Sequence, residues 1–426
     1  MAEQEVTAEE ERYPRYRWFI LFLGWLLLCL TSYNNSMLNV RYELLEAAPV
    51  GLGFNATQFY ACITATSVAP IVIAFLSGLF TDKWGVKKVI LYGAIVTAVG
   101  GLLRVVAFGF VDFFIYCVIM GVGLGTVGGN VPKLVGQWFH IRQIYLGIAL
   151  FTTALGIGPF LALATGAMWP TWKLGFLVMG LFLVVGFVVW WVWAKDRPRE
   201  YLEDGKPIVG VPFKEALLTA VRSKPLWLIL VSYALVAGVV TGWIGGLPLV
   251  LKETKGLSGG AAGIIASLSV LGYIIGIVLW SWVAEKIGYM KPVYCICVFL
   301  SGLTGWLLYI SAPGIGMWVL GIFPGLFMGA GYPLIMQMPL RLKGIGTRYA
   351  GVAMGMVSSG GHLIGFLMLP FMFTPLWEAF GALWAVFFFF MALATAGALF
   401  LKAPEVGRKY IVRVLEEAQQ TGATAS

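Results

Sequence analysis

The chain has 426 residues, 60% hydrophobic and only 12% charged, which excludes an ordinary soluble protein and makes lipid its main solvent. Its 29 Lys and Arg against 20 Asp and Glu give a net charge of +9, but the charges lie in short clusters between apolar runs, which excludes a nucleic-acid-binding face. The five cysteines (Cys29, Cys62, Cys117, Cys295, Cys297) all fall inside apolar runs with neither metal-ligand spacing nor a disulfide framework, so no metal and no cofactor is expected.

The opening stretch MAEQEVTAEEERYPRYR is acidic and then basic, unlike a cleavable signal, and the first apolar run is a full span in length. A bilayer core of about 30 Å is crossed by roughly 20 apolar helical residues. Cutting the chain where charges, Pro or Gly clusters interrupt such runs predicts twelve spans: 18–40, 59–81, 89–110, 113–137, 144–167, 173–194, 225–250, 259–284, 291–311, 314–338, 349–373 and 378–401. The charged stretch 195–224 divides them into six-span halves, 18–194 and 225–401, flanked by tails 1–17 and 402–426.

In span one, Ser32, Asn35, Asn39 and Tyr42 recur at spacings of 3, 4 and 3, one helical face whose amides donate to an oxyanion or glue helices together. Span three carries Arg104 in its outer third, where snorkelling or a structural pair is expected. In span four Thr126, Asn130, Lys133 and Gln137 recur at 4, 3 and 4, a polar stripe that must face water or protein. Lys133 either lines a pathway or snorkels from about one turn inside the span, and Pro132 loosens the helix beside it. Span seven offers Tyr233, Thr241 and Trp243, and span ten Tyr332 and Gln337, as substrate contacts or packing aromatics. His362 in span eleven, after Ser358-Ser359-Gly-Gly, binds substrate, carries a proton or is hydrogen-bonded within the bundle.

An ionisable group inside the bilayer costs on the order of 2.5 to 3.5 kcal/mol on insertion scales, so each one is a functional candidate. All 20 acids fall at span ends or in loops, whereas Arg104, Lys133 and His362 fall within spans, and a buried cation without a carboxylate invites an anion. The glycine-rich run Gly121-Val-Gly123-Leu-Gly125 lies inside a span and no Gly-Lys-Ser/Thr follows a glycine-rich turn, so energy comes from gradients rather than ATP. These glycines instead permit close helix contact. With both termini cytoplasmic, 23 of the 29 Lys and Arg fall on the cytoplasmic side, as the positive-inside bias requires.

Two internal echoes share nearly one displacement. Asp82-Lys83-Trp-Gly85-Val-Lys87-Lys88 after span two matches Glu285-Lys286-Ile-Gly288-Tyr-Met-Lys291 after span eight, 203 residues on, and Tyr145-Leu-Gly147-Ile-Ala149 matches Tyr349-Ala-Gly351-Val-Ala353, 204 residues on. The halves are therefore structural repeats. With its preceding Gly78, the first loop resembles the signature of the major facilitator superfamily between spans two and three, and length, span number and charged central linker resemble that family throughout. The chain departs from its proton-coupled drug exporters and sugar porters at Cys117, where those carry Arg four residues before Gly-x-Gly. Gly158-Pro159 resembles part of the antiporter signature.

The resemblance implies an all-α membrane fold of twelve helices in two pseudo-symmetric six-helix bundles. It implies a central cavity lined by spans one, four, seven and ten, which places Asn35, Asn39, Asn130, Lys133, Tyr233, Trp243, Tyr332, Gln337 and His362 as candidate substrate contacts. Asp82, Lys83, Lys87 and Lys88 form a candidate cytoplasmic latch, with Glu285 and Lys286 as its counterpart. The expected protein is not an enzyme but a monomeric secondary transporter in the inner cell membrane, whose partners are the bilayer, a small anionic substrate and a coupled proton. A neutral or cationic solute in an aromatic cage, and a non-transporting sensor, are the rival expectations.

Overall fold

The computed structural model describes residues 15–40, 45, 51–139, 144–196, 213–342 and 344–405. Among them twelve helical stretches are long and apolar enough to cross a membrane. They are Tyr16–Asn39, Thr57–Ala74, Val86–Val106, Phe110–Trp138, Gly147–Thr165 and Trp172–Trp193, then Lys224–Lys255, Gly259–Ile287, Lys291–Ile310, Ile315–Met336, Val352–Phe380 and Ala382–Leu401. We call these spans one to twelve. No strand occurs among the described residues. Several ends differ from the apolar count, the largest being span two, which ends at Ala74 rather than 81, and span eleven, which runs to Phe380 rather than 373. The helix of span seven continues past Pro248 to Lys255, where Gly256 turns left-handed and its N–H returns to the Lys252 carbonyl. Span twelve begins at Ala382 because Gly381, at φ +86°, breaks the chain there.

The described residues form two compact units. One comprises those of 1–212 with Ile244–Pro248 and Gly259–Ser267, the other those of 213–243, 249–258 and 268–426. In the first, Leu23, Leu27 and Leu28 of span one share a buried core with Ile90, Val135, Phe151 and Trp190.

The glycines repeat as faithfully as the charged loops. A Cβ on Gly121 in span four would stand 2.2 Å from the Thr66 carbonyl oxygen of the span-two segment, and one on Gly325 in span ten would stand 1.6 Å from the Ser269 carbonyl oxygen of span eight. These positions are 204 residues apart, and Gly125 and Gly329 continue the contact one turn on. Each crossing is so close that only a residue without a side chain fits. The charged loops repeat too, since Gly85 and Gly288 take φ +85° and +79°, the left-handed turn that lets one helix stop and the next begin.

Each unit closes that turn with an acid from the end of its last span. Asp196, just past span six, accepts the backbone N–H of Lys87 at 2.9 Å in the first turn of span three, while Trp190 Nε1 donates to the Lys87 carbonyl at 3.1 Å. Glu405, just past span twelve, accepts the N–H groups of Met290 and Lys291, both at 3.0 Å, at the start of span nine, and Lys291 Nζ donates to the Leu401 carbonyl at 2.8 Å. A carboxylate at a helix N-terminus satisfies unpaired N–H groups and meets the positive end of the helix dipole. Glu405→Gln is expected to lower stability by about 1 to 2 kcal/mol and Asp196→Asn by about 0.5 to 1 kcal/mol. Amide exchange at residues 86–89 and 290–293 would show it, and unchanged exchange in both variants would reduce the two clasps to incidental contacts.

Candidate functional site

Span four is not one regular helix. Its α-helix Phe110–Gly123 widens into a π turn over Leu124–Gly128 and restarts as Val131–Trp138 with Pro132 in the first turn. Proline has no N–H to continue the ladder, and two residues earlier Asn130 already departs from it. Its own N–H goes to the Val127 carbonyl at 3.3 Å, while its Nδ2 donates at 2.7 Å to the Thr126 carbonyl, the acceptor a regular helix would give to that N–H. Asn130 is fully buried, and its Oδ1 meets no donor. The stripe predicted on a continuous helix is thus split. The Thr126 hydroxyl is spent on the Val122 and Gly123 carbonyls, and half-buried Lys133 donates from Nζ to Thr81 Oγ1 at 2.8 Å. Lys133 therefore ties span four to the helix Val68–Trp84 that ends in the charged loop. Thr81 is a partner that sequence reasoning missed.

In span one Asn35 Oδ1 accepts from Thr66 Oγ1 at 3.0 Å, and buried Asn39 donates from Nδ2 to the Ile244 carbonyl at 3.4 Å with its Oδ1 unmatched. Asn35 thus serves helix packing as well as any ligand. The neighbouring Asn34 is fully buried with both amide atoms unmatched, and its carbonyl accepts from Arg104 Nη2 at 3.3 Å. Arg104 does not snorkel. It is 0% exposed, caps the carbonyl end of span one and sets its guanidinium carbon 4.2 Å from the centre of the Phe176 ring. The structural reading of Arg104 holds, and this cation belongs to the architecture.

The second unit gathers rings. Tyr233 of span seven and Tyr332 of span ten lie 6.0 Å apart between centroids. The Tyr233 ring reaches so close to span eleven that a Cβ on Gly361 would lie 2.5 Å from its Cε1, which places half-buried His362 one residue away. Tyr273 of span eight lies at the crossing with span ten, its carbonyl oxygen 2.6 Å from where a Gly329 Cβ would stand. The sequence carried one signal for it, the flanking Gly272 and Gly276 that bring span eight against span ten. Trp243 stands apart: its indole N–H donates to Ser269 Oγ at 3.0 Å and its ring packs 3.1 Å from where a Gly305 Cβ would be, so this side chain is spent on packing. Thr241 likewise bonds within its own helix.

Of the latch residues, Lys87 is half-buried and Lys88 exposed, and on the other loop Glu285 and Lys286 are exposed, with Lys286 Nζ 4.8 Å from the Trp282 ring centre. The side chains of Asp82, Lys83 and Gln337, and Tyr42 as a whole, lie outside the described residues. No group of three His, Cys, Asp or Glu with metal-binding proximity occurs among the described residues.

Comparisons with known proteins agree with this architecture. The chain is 24% identical over 333 residues to a hexuronate transporter of Bacillus subtilis, covering 72% of this chain and 78% of that one. It is 25% identical over 341 residues to the membrane sensor protein UhpC of Salmonella typhimurium, covering 71% and 74%. Its fold matches the crystal structure of a bacterial homologue of the human lysosomal transporter Spinster with a TM-score of 0.69 at 15% identity, over 92% of this chain and 97% of that chain. The model of the Major Facilitator Superfamily matches residues 20–367 and again 244–417, and with the twelve spans and repeated loops this shows that the chain belongs to that superfamily.

Proposed function

We propose that the chain is a secondary active transporter of a small anion, a mono- or dicarboxylate or an inorganic oxyanion. It works by alternating access, as a proton symporter or an anion exchanger. The observation that carries this reading is the interrupted span four. There Lys133, half-buried, brings a positive charge into the bundle from within a span. Similarity to a transporter of hexuronates, which are carboxylates, supports it. Asn35, Asn39, Asn130 and Lys133 are the contacts proposed from the first unit, and Tyr233, Tyr332, Gln337 and His362 those from the second. Trp243, whose indole N–H is held by Ser269, is not among the proposed contacts. Phenol and imidazole donate hydrogen bonds to an anion without adding charge, and His362 carries the coupled proton. Asp82, Lys83, Lys87, Lys88, Glu285 and Lys286 act as the latches, and both termini are cytoplasmic.

A thermal-shift panel on the purified protein tests the substrate class, because a ligand selective for the native state raises its apparent stability. Carboxylates and oxyanions are expected to raise the melting temperature, and a preference for organic cations would overturn the assignment. Similarity to a membrane sensor supports a second reading, in which the anion is bound but not moved. Counterflow of the stabilising anion in proteoliposomes separates the two. A protease site within 195–224 is expected to be cut only from the cytoplasm.

A further inference from the structure

The charged linker ends in a helix that no membrane-span argument anticipates, Phe213–Arg222, with the sequence FKEALLTAVR. One side of it is settled. Ala216 and Ala220 are buried, the helix packs against the helix Gly346–Leu367 of span eleven, and Glu215 Oε1 accepts from the Tyr349 hydroxyl at 2.5 Å. The other side carries Lys214, Leu218, Val221 and Arg222, spaced i, i+4, i+7 and i+8 and all exposed, with Leu218 at 44% and Val221 at 43%. Lys224 continues the basic edge, and the helix's acid, Glu215, is engaged with Tyr349.

The junction with span seven is fixed. Ser223 turns the chain at ψ 101° and caps the next helix through the Leu226 N–H at 3.4 Å, while Trp227 Nε1 donates to the Val221 carbonyl at 2.8 Å. Trp227 is itself 44% exposed and begins the outward stripe of span seven with Val231. A tryptophan with its ring outward and its N–H on backbone at the start of a span marks the interface between headgroups and acyl chains. The Leu218–Val221 face is therefore continuous with the lipid-facing surface of span seven, and the cations flank it.

We infer that the helix Phe213–Arg222 is an interfacial foot that binds the anionic lipid headgroups of the leaflet at the start of span seven. Leu218 and Val221 enter the boundary of the acyl chains, and Lys214, Arg222 and Lys224 meet lipid phosphates. Apolar burial seats the helix and the cations select anionic over zwitterionic lipid. Through Glu215 and the two alanines the seated foot also fixes the first turn of span eleven, so lipid charge bears on a helix that carries His362.

The test uses the full chain with a nitroxide on Leu218→Cys, the labelled parent serving as blank for its cysteines, four of them buried and one half-buried. It is reconstituted in phosphatidylcholine vesicles with and without phosphatidylglycerol. With phosphatidylglycerol the label should collide with oxygen and be shielded from a water-soluble nickel chelate. Each cation near an anionic surface contributes roughly fivefold, so adding Lys214→Gln, Arg222→Gln and Lys224→Gln should weaken seating on the order of a hundredfold and return the label toward its accessibility in phosphatidylcholine alone. A label open to the nickel chelate in both vesicles would overturn the proposal. So would one shielded from both reagents, which means a protein cover, or one seated equally in both lipids. Gel filtration of the variant establishes that it is folded, and Tyr349→Phe, which cuts the tie to span eleven, should leave seating unchanged.

Discussion

Gly325→Ala is expected to damage the protein more than any other single methyl group added to it. The new Cβ would lie 1.6 Å from the Ser269 carbonyl oxygen and 3.0 Å from the Tyr273 nitrogen, so it meets backbone that cannot rotate aside. Spans eight and ten would have to separate, and overpacking of this kind costs about 1 to 3 kcal/mol and sometimes more. Separation would also displace Tyr273 and Tyr332, so the variant should lose both melting temperature and ligand response. Gly136→Ala is the control. Its Cβ meets nothing within 4 Å, and in an exposed helical position alanine is expected to be neutral or to stabilise by about 0.5 to 1 kcal/mol. Equal melting temperatures for the two variants would show that the crossing is looser than its geometry.

Lys133→Gln is expected to weaken anion binding by about 1 to 3 kcal/mol, the scale of a charge-assisted hydrogen bond. The substitution keeps a polar side chain that can still reach Thr81 Oγ1, now 2.8 Å from Nζ, so expression and melting temperature should change little. Titration of the stabilising anion reads the loss directly. Unaltered affinity would remove Lys133 from the binding site. If His362→Gln were silent as well, the anion assignment would lose its main support.

The twelve spans were legible because each is a long apolar run bounded by charge, Pro or Gly, and the loops because Gly85 and Gly288 are the turn residues their left-handed geometry needs. The second echo also holds physical content. The same displacement of 204 residues relates Gly156 to Gly360, and a Cβ on Gly360 would lie 2.9 Å from Leu230, where span eleven meets span seven. What the sequence hid depends on separation or on local departures from the helical period. Asp196 and Glu405 meet their partners across 109 and 115 residues, and nothing near either acid announces the amide it will accept. Counting at 3.6 residues per turn put Thr126, Asn130 and Lys133 on one face, but the π turn before Asn130 changes the register. Tyr273 was hidden because it lies in span eight, outside spans one, four, seven and ten, which the family resemblance assigns to the cavity.

The two carboxylate clasps have a consequence for cutting the gene. Each acid sits after the sixth span of its own half and closes the third span of that same half. A break in the polypeptide between Asp196 and Phe213 leaves both closures whole inside their fragments, whereas a break a few residues earlier strips Asp196 from the first fragment. Co-produced fragments divided at the later point are expected to assemble and those divided at the earlier point to be degraded. The permissible place for a split or an inserted tag is thus set by one aspartate, not by the midpoint of the linker.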